Sequence, residues 1–123
     1  MPKAATQPPK PTISYATLVG RIVEHHRRQA QMHQEAMARA LGISQSAYSR
    51  LEQGQSAMSV TQLRLIADHL GTTPDFLLQH TRQYADQLRA QGVVITDNKQ
   101  ESPAGGVLIA LGILAALFAA ANS

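Results

Sequence analysis

The side chains best able to form specific hydrogen bonds lie close together, between residues 45 and 53. Glutamine and arginine can each make two parallel hydrogen bonds to the edge of a base, glutamine to adenine and arginine to guanine, and serine can donate or accept. A helix through this stretch would turn these groups outward while Tyr48 and Leu51 point inward. The stretch is therefore predicted to read base edges, and the polar residues of its outward face are Gln45, Ser46, Ser49, Arg50 and Gln53.

Chemistry of other kinds finds no support elsewhere in the chain. No nucleophile is paired with a base, no two carboxylates are spaced for acid–base catalysis, and the chain has no cysteine. The five histidines include no pair four residues apart with a nearby carboxylate, a spacing that zinc sites often use. We therefore expect no enzymatic activity, no metal and no cofactor. The absence of cysteine also suits a reducing cytoplasm.

The charge balance favours a polyanionic partner. Residues 1–92 contain ten Lys and Arg against six Asp and Glu, and the whole chain of 123 residues carries a formal net charge of +3. A cationic surplus of this kind suits double-stranded DNA, although charge alone is weak support. The length allows one small domain with short appendages.

Five helices are predicted in the domain, residues 14–92, from apolar positions repeating at helical spacing. Ser14, Ser44 and Thr73 suit helix N-termini, and Ser59 with Gln62 forms a capping-box pattern. Glycines just beyond the apolar repeats end four of the helices. The domain is therefore expected to be all-α, with helices over about 15–30, 34–41, 45–53, 59–70 and 74–91.

The second and third predicted helices are separated only by Gly42, Ile43 and Ser44. A three-residue turn with glycine, between two helices of about eight residues, is typical of a helix-turn-helix. In that motif the second helix lies in the major groove with its N-terminal residues at base edges. The residues with base-reading chemistry begin at this point, at Gln45.

The segments flanking the domain differ from it in composition. Residues 1–13 carry four prolines and little that is apolar, so a disordered N-terminal arm is predicted. Residues 93–103 are interpreted as a linker, in which 93–96 forms either a short strand or extended chain. Residues 104–121 contain no charged side chain and predict a separate apolar helix.

This last helix has three possible placements. Apolar around its whole circumference and ~27 Å long, it is just shorter than a bilayer core of ~30 Å. It could be a transmembrane anchor tethering a cytoplasmic protein to the inner membrane, an oligomerisation helix, or a tail folded back on the domain. Gly112, Ala116 and Ala120 recur every four residues, which would let two such helices pack closely.

The stretch HQEAMARALGISQSAYSRLEQG, residues 33–54, resembles the phage Cro/repressor and Xre-type helix-turn-helix regulators. The resemblance continues through SVTQLRLIADHLGTTPDFLL and covers about residues 14–80. The matching positions are Gln34 at the start of the first helix, Met37-Ala38 within it, Gly42 in the turn, Ser44-Gln45 opening the second helix, and Leu51-Glu52-Gln53-Gly54 closing it.

The resemblance implies a five-helix lambda-repressor-like DNA-binding domain. It further implies a sequence-specific transcriptional regulator, more often a repressor, that binds an inverted repeat in double-stranded DNA as a homodimer. Two alternatives stay open: a helix-turn-helix module used for protein interaction at the membrane, and an antitoxin-like regulator.

The resemblance also assigns roles to single residues. Gln34 would bind a phosphate and brace Gln45, Arg27 would support the fold or reach the DNA backbone, and Glu52 would bond locally and face away from DNA. The full implied set is Gln45, Ser46, Ser49 and Arg50 for base readout, with Gln34, Arg27 and Gln53 on the DNA backbone.

Two residues depart from the family pattern at the entry to the motif. His33 replaces the usual Ser or Thr cap, and Gln31 stands where glycine is common. Both substitutions are expected to weaken the start of the second helix.

Overall fold

The computed structural model describes residues 10–97 and 104–121, which form six helices and two short strands. The five helices predicted for the domain are confirmed to within about one residue at each end. The elements in chain order are β1 (Thr12–Ser14), α1 (Tyr15–Gln29), α2 (Gln34–Leu41), α3 (Gln45–Glu52), α4 (Val60–His69), α5 (Pro74–Ala90), β2 (Val94–Thr96) and α6 (Ala104–Ala121).

Side-chain caps begin four of these helices. Ser14, Ser44 and Thr73 each accept a hydrogen bond from the backbone N–H three residues further on. Ser59 and Gln62 form the complete capping box that their spacing predicts. These caps satisfy backbone donors that have no partner inside the helix, so local sequence fixes where the helices begin.

A first apolar core lies among α1, α2, α3 and α4, with a contribution from the start of α5. The inward positions expected for Met37, Tyr48 and Leu51 are confirmed, but on α2 Ala38 is buried whereas Ala36, expected inside, is exposed. The core members are Val19, Val23, Met37, Ala38, Tyr48, Leu51, Leu63, Ile66, Ala67 and Leu77.

A second apolar core lies on the other side of α1. Leu18 and Ile22 face it from α1, whereas Val19 and Val23 face the first core, so α1 separates and supports both. The other members come from β1, α5, the segment just before β2, and α6. They are Ile13, Tyr84, Ala85, Leu88, Val93, Ala110 and Leu114.

The prediction of a disordered arm up to residue 13 is wrong at its C-terminal end. Residues 12–14 form β1, which pairs in parallel with β2, placing Ile13 opposite Ile95. Ile13 is 1% exposed, and the predicted linker contributes a buried Val93. A three-residue strand whose partner lies some eighty residues away leaves no local periodicity to detect. The remainder of the predicted arm, residues 1–9, lies outside the described residues.

The expectation of a separate C-terminal helix is also wrong, because α6 folds back on the domain. Ala110 and Leu114 are 0% and 2% exposed in the second core. Phe118 stacks on His25 with ring centroids 4.3 Å apart and meets Tyr84 edge-on at 4.9 Å. The physical reason is that α1, α5 and β1 together form an apolar surface. Packing α6 against this surface removes apolar area of both from water.

In the described part of the chain, no helix is both long enough and apolar enough to span a bilayer.

Candidate nucleic-acid interface

The turn between α2 and α3 is set by its own residues. Gly42 adopts the left-handed conformation, with φ 70° and ψ 29°. Its N–H donates to the Arg39 carbonyl oxygen. The Ile43 N–H donates to the Ala38 carbonyl at 3.0 Å, and Ile43 packs against the first core. Ser44 then caps α3 by accepting from the Ala47 N–H. The chain therefore reverses sharply and begins α3 in a fixed direction.

One side of α3 is anchored and the other is open. Tyr48 and Leu51 are 0% and 4% exposed in the first core. The residues predicted to read bases lie on the solvent side: Gln45, Ser46 and Arg50 are exposed, Ser49 is half-buried, and the backbone candidate Gln53 is exposed.

The open side of α3 contains side chains available to a ligand. Ser44 and Ser46 are joined by a hydrogen bond of 3.2 Å, and Gln53 donates to Ser49 at 3.3 Å. Within residues 10–97 and 104–121, the side chains of Gln45 and Arg50 have no hydrogen-bond partner. Glutamine and arginine with free donors and acceptors can form the paired hydrogen bonds that base edges accept.

On the buried side of α3, one carboxylate is hydrogen-bonded to side chains from α1, α2 and α3. Glu52, 1% exposed, accepts from Arg27 Nε at 2.6 Å and Arg27 Nη2 at 3.0 Å. It also accepts from Tyr48 Oη at 2.5 Å and Gln34 Nε2 at 2.8 Å. Arg27 completes its own bonding by donating from Nη1 to the Met32 carbonyl at 2.7 Å. We call Arg27, Gln34, Tyr48 and Glu52 the Glu52 network.

The Glu52 network stabilises the charged form of its arginine and the neutral form of its tyrosine. The hydrogen bond to Glu52 raises the pKa of Arg27. Burial, followed by the hydrogen bond to Glu52, raises the pKa of Tyr48. A buried carboxylate with four charge-assisted or neutral donors is compensated for its loss of water, so the network ties α1 and α2 to α3.

These contacts change two of the expected roles. Arg27 is 6% exposed and directed at Glu52, so it supports the fold and is not placed to reach a DNA phosphate. Gln34 contacts Glu52 and not Gln45, which removes the expected brace. Its half-buried amide has a second N–H, so the phosphate contact of Gln34 stays a prediction.

Sequence reasoning assigned Glu52 a local bond and missed its role across helices. The available signal was the inward tyrosine four residues before it, because a buried tyrosine hydroxyl requires a polar partner. The partners on α1 and α2 depend on tertiary packing, which spacing along the chain does not reveal.

Close approach of α1 to α3 depends on Gly20. A Cβ atom built there would lie 2.4 Å from the Glu52 carbonyl oxygen, and at that distance the two helices would have to separate. Gly20 stands in the middle of α1, where glycine has poor helix propensity. A glycine interrupting a helical pattern was therefore a signal of this contact.

The entry to α2 is weak, in agreement with the two departures from the family pattern. His33 occupies the N-cap position but makes no side-chain capping bond. Gln31 has φ 59° and lies in the left-handed region that favours glycine.

The sequence matches the family described as helix-turn-helix domain over residues 18–80, slightly more than half of the chain. The chain belongs to the helix-turn-helix domain family. Among curated proteins, none matches it.

Two crystal structures resemble this helix-turn-helix domain. The clp gene regulator ClgR from Corynebacterium glutamicum has a TM-score of 0.60 and 21% identity, covering 63% of this chain and 82% of that chain. A second crystal structure of ClgR from C. glutamicum has a TM-score of 0.54 and 20% identity, covering 57% of this chain and 91% of that chain. At these identities, the likeness shows the fold.

Proposed function

We propose that this protein is a sequence-specific DNA-binding transcriptional regulator that places α3 in a major groove. The observation that carries the proposal is the division of α3 into a buried side and an open side on which Gln45 and Arg50 are exposed. An α-helix with its side chains is ~10–12 Å in diameter and therefore fits the ~12 Å width of the groove, and the eight residues of α3 extend ~12 Å within it. The Glu52 network would hold α3 rigid against the domain during contact.

The proposed roles follow from side-chain chemistry and position. Gln45, in the first turn of α3, suits adenine, and Arg50 suits guanine one turn later. Ser46 and Ser49 would read or position neighbouring bases. Gln34 and Gln53 would bind phosphates at the two ends of the motif.

The finer assignment is to the Cro/repressor and Xre-type regulators, acting as a repressor. The residue pattern of 33–54 supports it, and the fold likeness to a protein described as a clp gene regulator supports the coarser role of a regulator. A single α3 contacts few base pairs, so we propose a homodimer on an inverted repeat. Such a dimer would read two half-sites about one helical turn, ~34 Å, apart.

The test begins with selection of bound sequences from a random DNA pool, using the full chain. Affinity is then measured for Gln45→Ala and Arg50→Ala on the selected site and on its single-base variants. Each variant is expected to lose ~1–3 kcal/mol at one base pair and to tolerate other bases there. Gln79→Ala and Arg82→Ala, which change exposed residues of the same types on α5, serve as controls. Wild-type affinity and selectivity in both α3 variants would contradict the proposed readout.

Salt dependence separates this function from use of the motif in protein contact. Phosphate contacts release counterions, so affinity for random DNA should fall steeply between two ionic strengths. An absence of salt-dependent DNA affinity would favour the protein-interaction alternative.

A further inference from the structure

The helix α6 has a buried side and an open side, and both are apolar. Ala110 and Leu114 are in the second core, whereas Leu108 and Ile109 are 67% and 41% exposed. Gly112, Ala115 and Ala116 are exposed on the same side as these two large residues. We call Leu108, Ile109, Gly112, Ala115 and Ala116 the outer face of α6.

The absence of charge limits what can cover the outer face. No ionisable residue occurs in the eighteen residues of α6, and although Ala115 borders a groove that also contains Arg21 and Glu24, most of the outer face offers a partner no charge to pair with. Three other exposed apolar side chains of the described chain differ in this respect. Leu78 and Tyr15 lie beside Arg82 and Arg89 in a groove of about 540 Å³, and Val60 lies in a groove with Asp97. A second copy of the outer face meets this condition, because it too is apolar and lies on a helix without charged residues.

We propose that the outer face of α6 pairs with the same face of a second copy, with the two helices antiparallel and crossing at Gly112. The proposal names the contact surface of the homodimer proposed above and rests on that part of the proposed function. An isologous contact of this kind has two-fold symmetry. If one residue of the first copy contacts a second residue in the other copy, the same two residues also meet with the copies exchanged.

Side-chain sizes favour the antiparallel direction. With Gly112 at the crossing, Leu108 of one copy faces Ala116 of the other, and Ile109 faces Ala115. Each large side chain thereby meets a small one. A parallel pair would place Leu108 on Leu108 and leave the alanines facing each other across a gap. A Cβ added at Gly112 would meet no atom within 4 Å in the single chain, so another helix backbone can approach closely there.

The available area predicts a weak dimer. A helix of eighteen residues is ~27 Å long and ~10 Å wide, so half of its lateral surface is roughly 400 Å² per copy. Two copies would bury about 800 Å², which lies below the ~1,200 Å² of stable interfaces and is typical of transient ones. Dissociation in the micromolar range is expected, with pairing reinforced when both copies lie on one DNA.

The first experiment measures mass by sedimentation over a range of concentrations without DNA. The wild-type chain should shift from monomer to dimer, whereas Leu108→Glu and Gly112→Leu should stay monomeric. Val60→Glu, a matched change at an apolar residue 86% exposed outside α6, should dimerise normally. Circular dichroism checks that all variants keep their helix content. Because two different changes are used, a folding defect in one leaves the other as the test.

Binding to a single half-site, measured in parallel, separates this inference from the proposed function. Monomeric variants that retain half-site affinity support the α6 interface. A wild-type chain that stays monomeric, or variants that dimerise like the wild type, would overturn the interface and leave the reading of DNA by α3 standing. A monomeric chain that floats with phosphatidylcholine vesicles would also overturn it, with lipid as the occupant.

A second experiment tests the direction of pairing. Because the native chain has no cysteine, any disulfide that forms must join the introduced residues. Leu108→Cys and Ala116→Cys are prepared separately, mixed and oxidised. Antiparallel pairing predicts a disulfide only in the mixture, since the two copies of residue 108 would lie ~12 Å apart along the helices, too far for a bond. Disulfides formed by each variant alone would indicate parallel pairing and refute the proposed geometry.

Discussion

Replacing Arg27 by alanine is expected to lower the free energy of unfolding by about 3–5 kcal/mol, although this residue lies away from the open side of α3. The change removes two of the four donors to Glu52, including the 2.6 Å bond, and leaves a carboxylate that is 1% exposed. An uncompensated buried charge costs about that much. The free energy of unfolding of a native protein is only about 5–15 kcal/mol, so the variant should be barely stable.

The neighbouring Arg28 provides the control. Its side chain is 71% exposed and pairs with Glu24 at 3.1 Å, four residues away on the same helix. Exposed pairs of this kind contribute about 0.3–0.5 kcal/mol, so Arg28→Ala should be nearly neutral. Urea denaturation at low temperature, followed by far-ultraviolet circular dichroism, measures both variants on one scale.

A double variant tests the cause of the loss. Arg27→Met with Glu52→Gln removes both charges yet keeps an amide acceptor for Tyr48 and Gln34, so much of the lost stability should return. Equal losses in Arg27→Ala and Arg28→Ala would refute the reasoning, as would a double variant no more stable than Arg27→Ala. The salt slope of DNA binding by folded Arg27→Ala should match the wild type, because Arg27 is not expected to contact phosphate.

Two further predictions concern the last turn of α1 and the loop that follows it. Gln31→Gly should raise the free energy of unfolding by about 0.5–1 kcal/mol in the same assay, because φ 59° strains a residue with a Cβ; a loss of stability would contradict this. Burial, followed by the charges of His80 and His25, lowers the pKa of His26 to about 4, so the folded chain keeps it neutral. As pH falls from about 6.5 to 4, the unfolded chain binds the proton first and stability should fall, by on the order of 1 kcal/mol after solvent screening. His26→Gln should flatten this dependence, and an unchanged pH profile would exclude His26 as its source.

The parts of the site that could be predicted from sequence are those fixed by local signals. Ser44, Gly42 and the apolar pair Tyr48 and Leu51 specify the turn, the start of α3 and its buried side from within a dozen residues. The open side follows by exclusion. The Glu52 network could not be predicted in the same way, because Arg27 and Glu52 are 25 residues apart and meet only after α1 packs on α3.

The placement of α6 shows a different limit. A helix that is apolar on every side has no periodicity to distinguish the side that will be buried, so the sequence alone leaves three placements open: a membrane, a partner or its own domain. The surface that receives α6 settles the placement, and that surface is built by β1, α1 and α5 together. The short strands are similarly hidden, since neither is stable without the other.

The shared position of α1 has a consequence for synthesis. Its Val19 and Val23 can find their partners once α4 and the first turn of α5 have left the ribosome, whereas Leu18 and Ile22 need residues from α6 at the far end of the chain. The first core, which holds α3, can therefore assemble while translation continues. During this time the side of α1 that carries Leu18 and Ile22 is still exposed to water. A polypeptide that ends at Gly92 would leave the apolar side of α1 uncovered. It would also lose the strand that pairs with Thr12–Ser14. It should be prone to aggregation and proteolysis even though every residue proposed to contact DNA is still present.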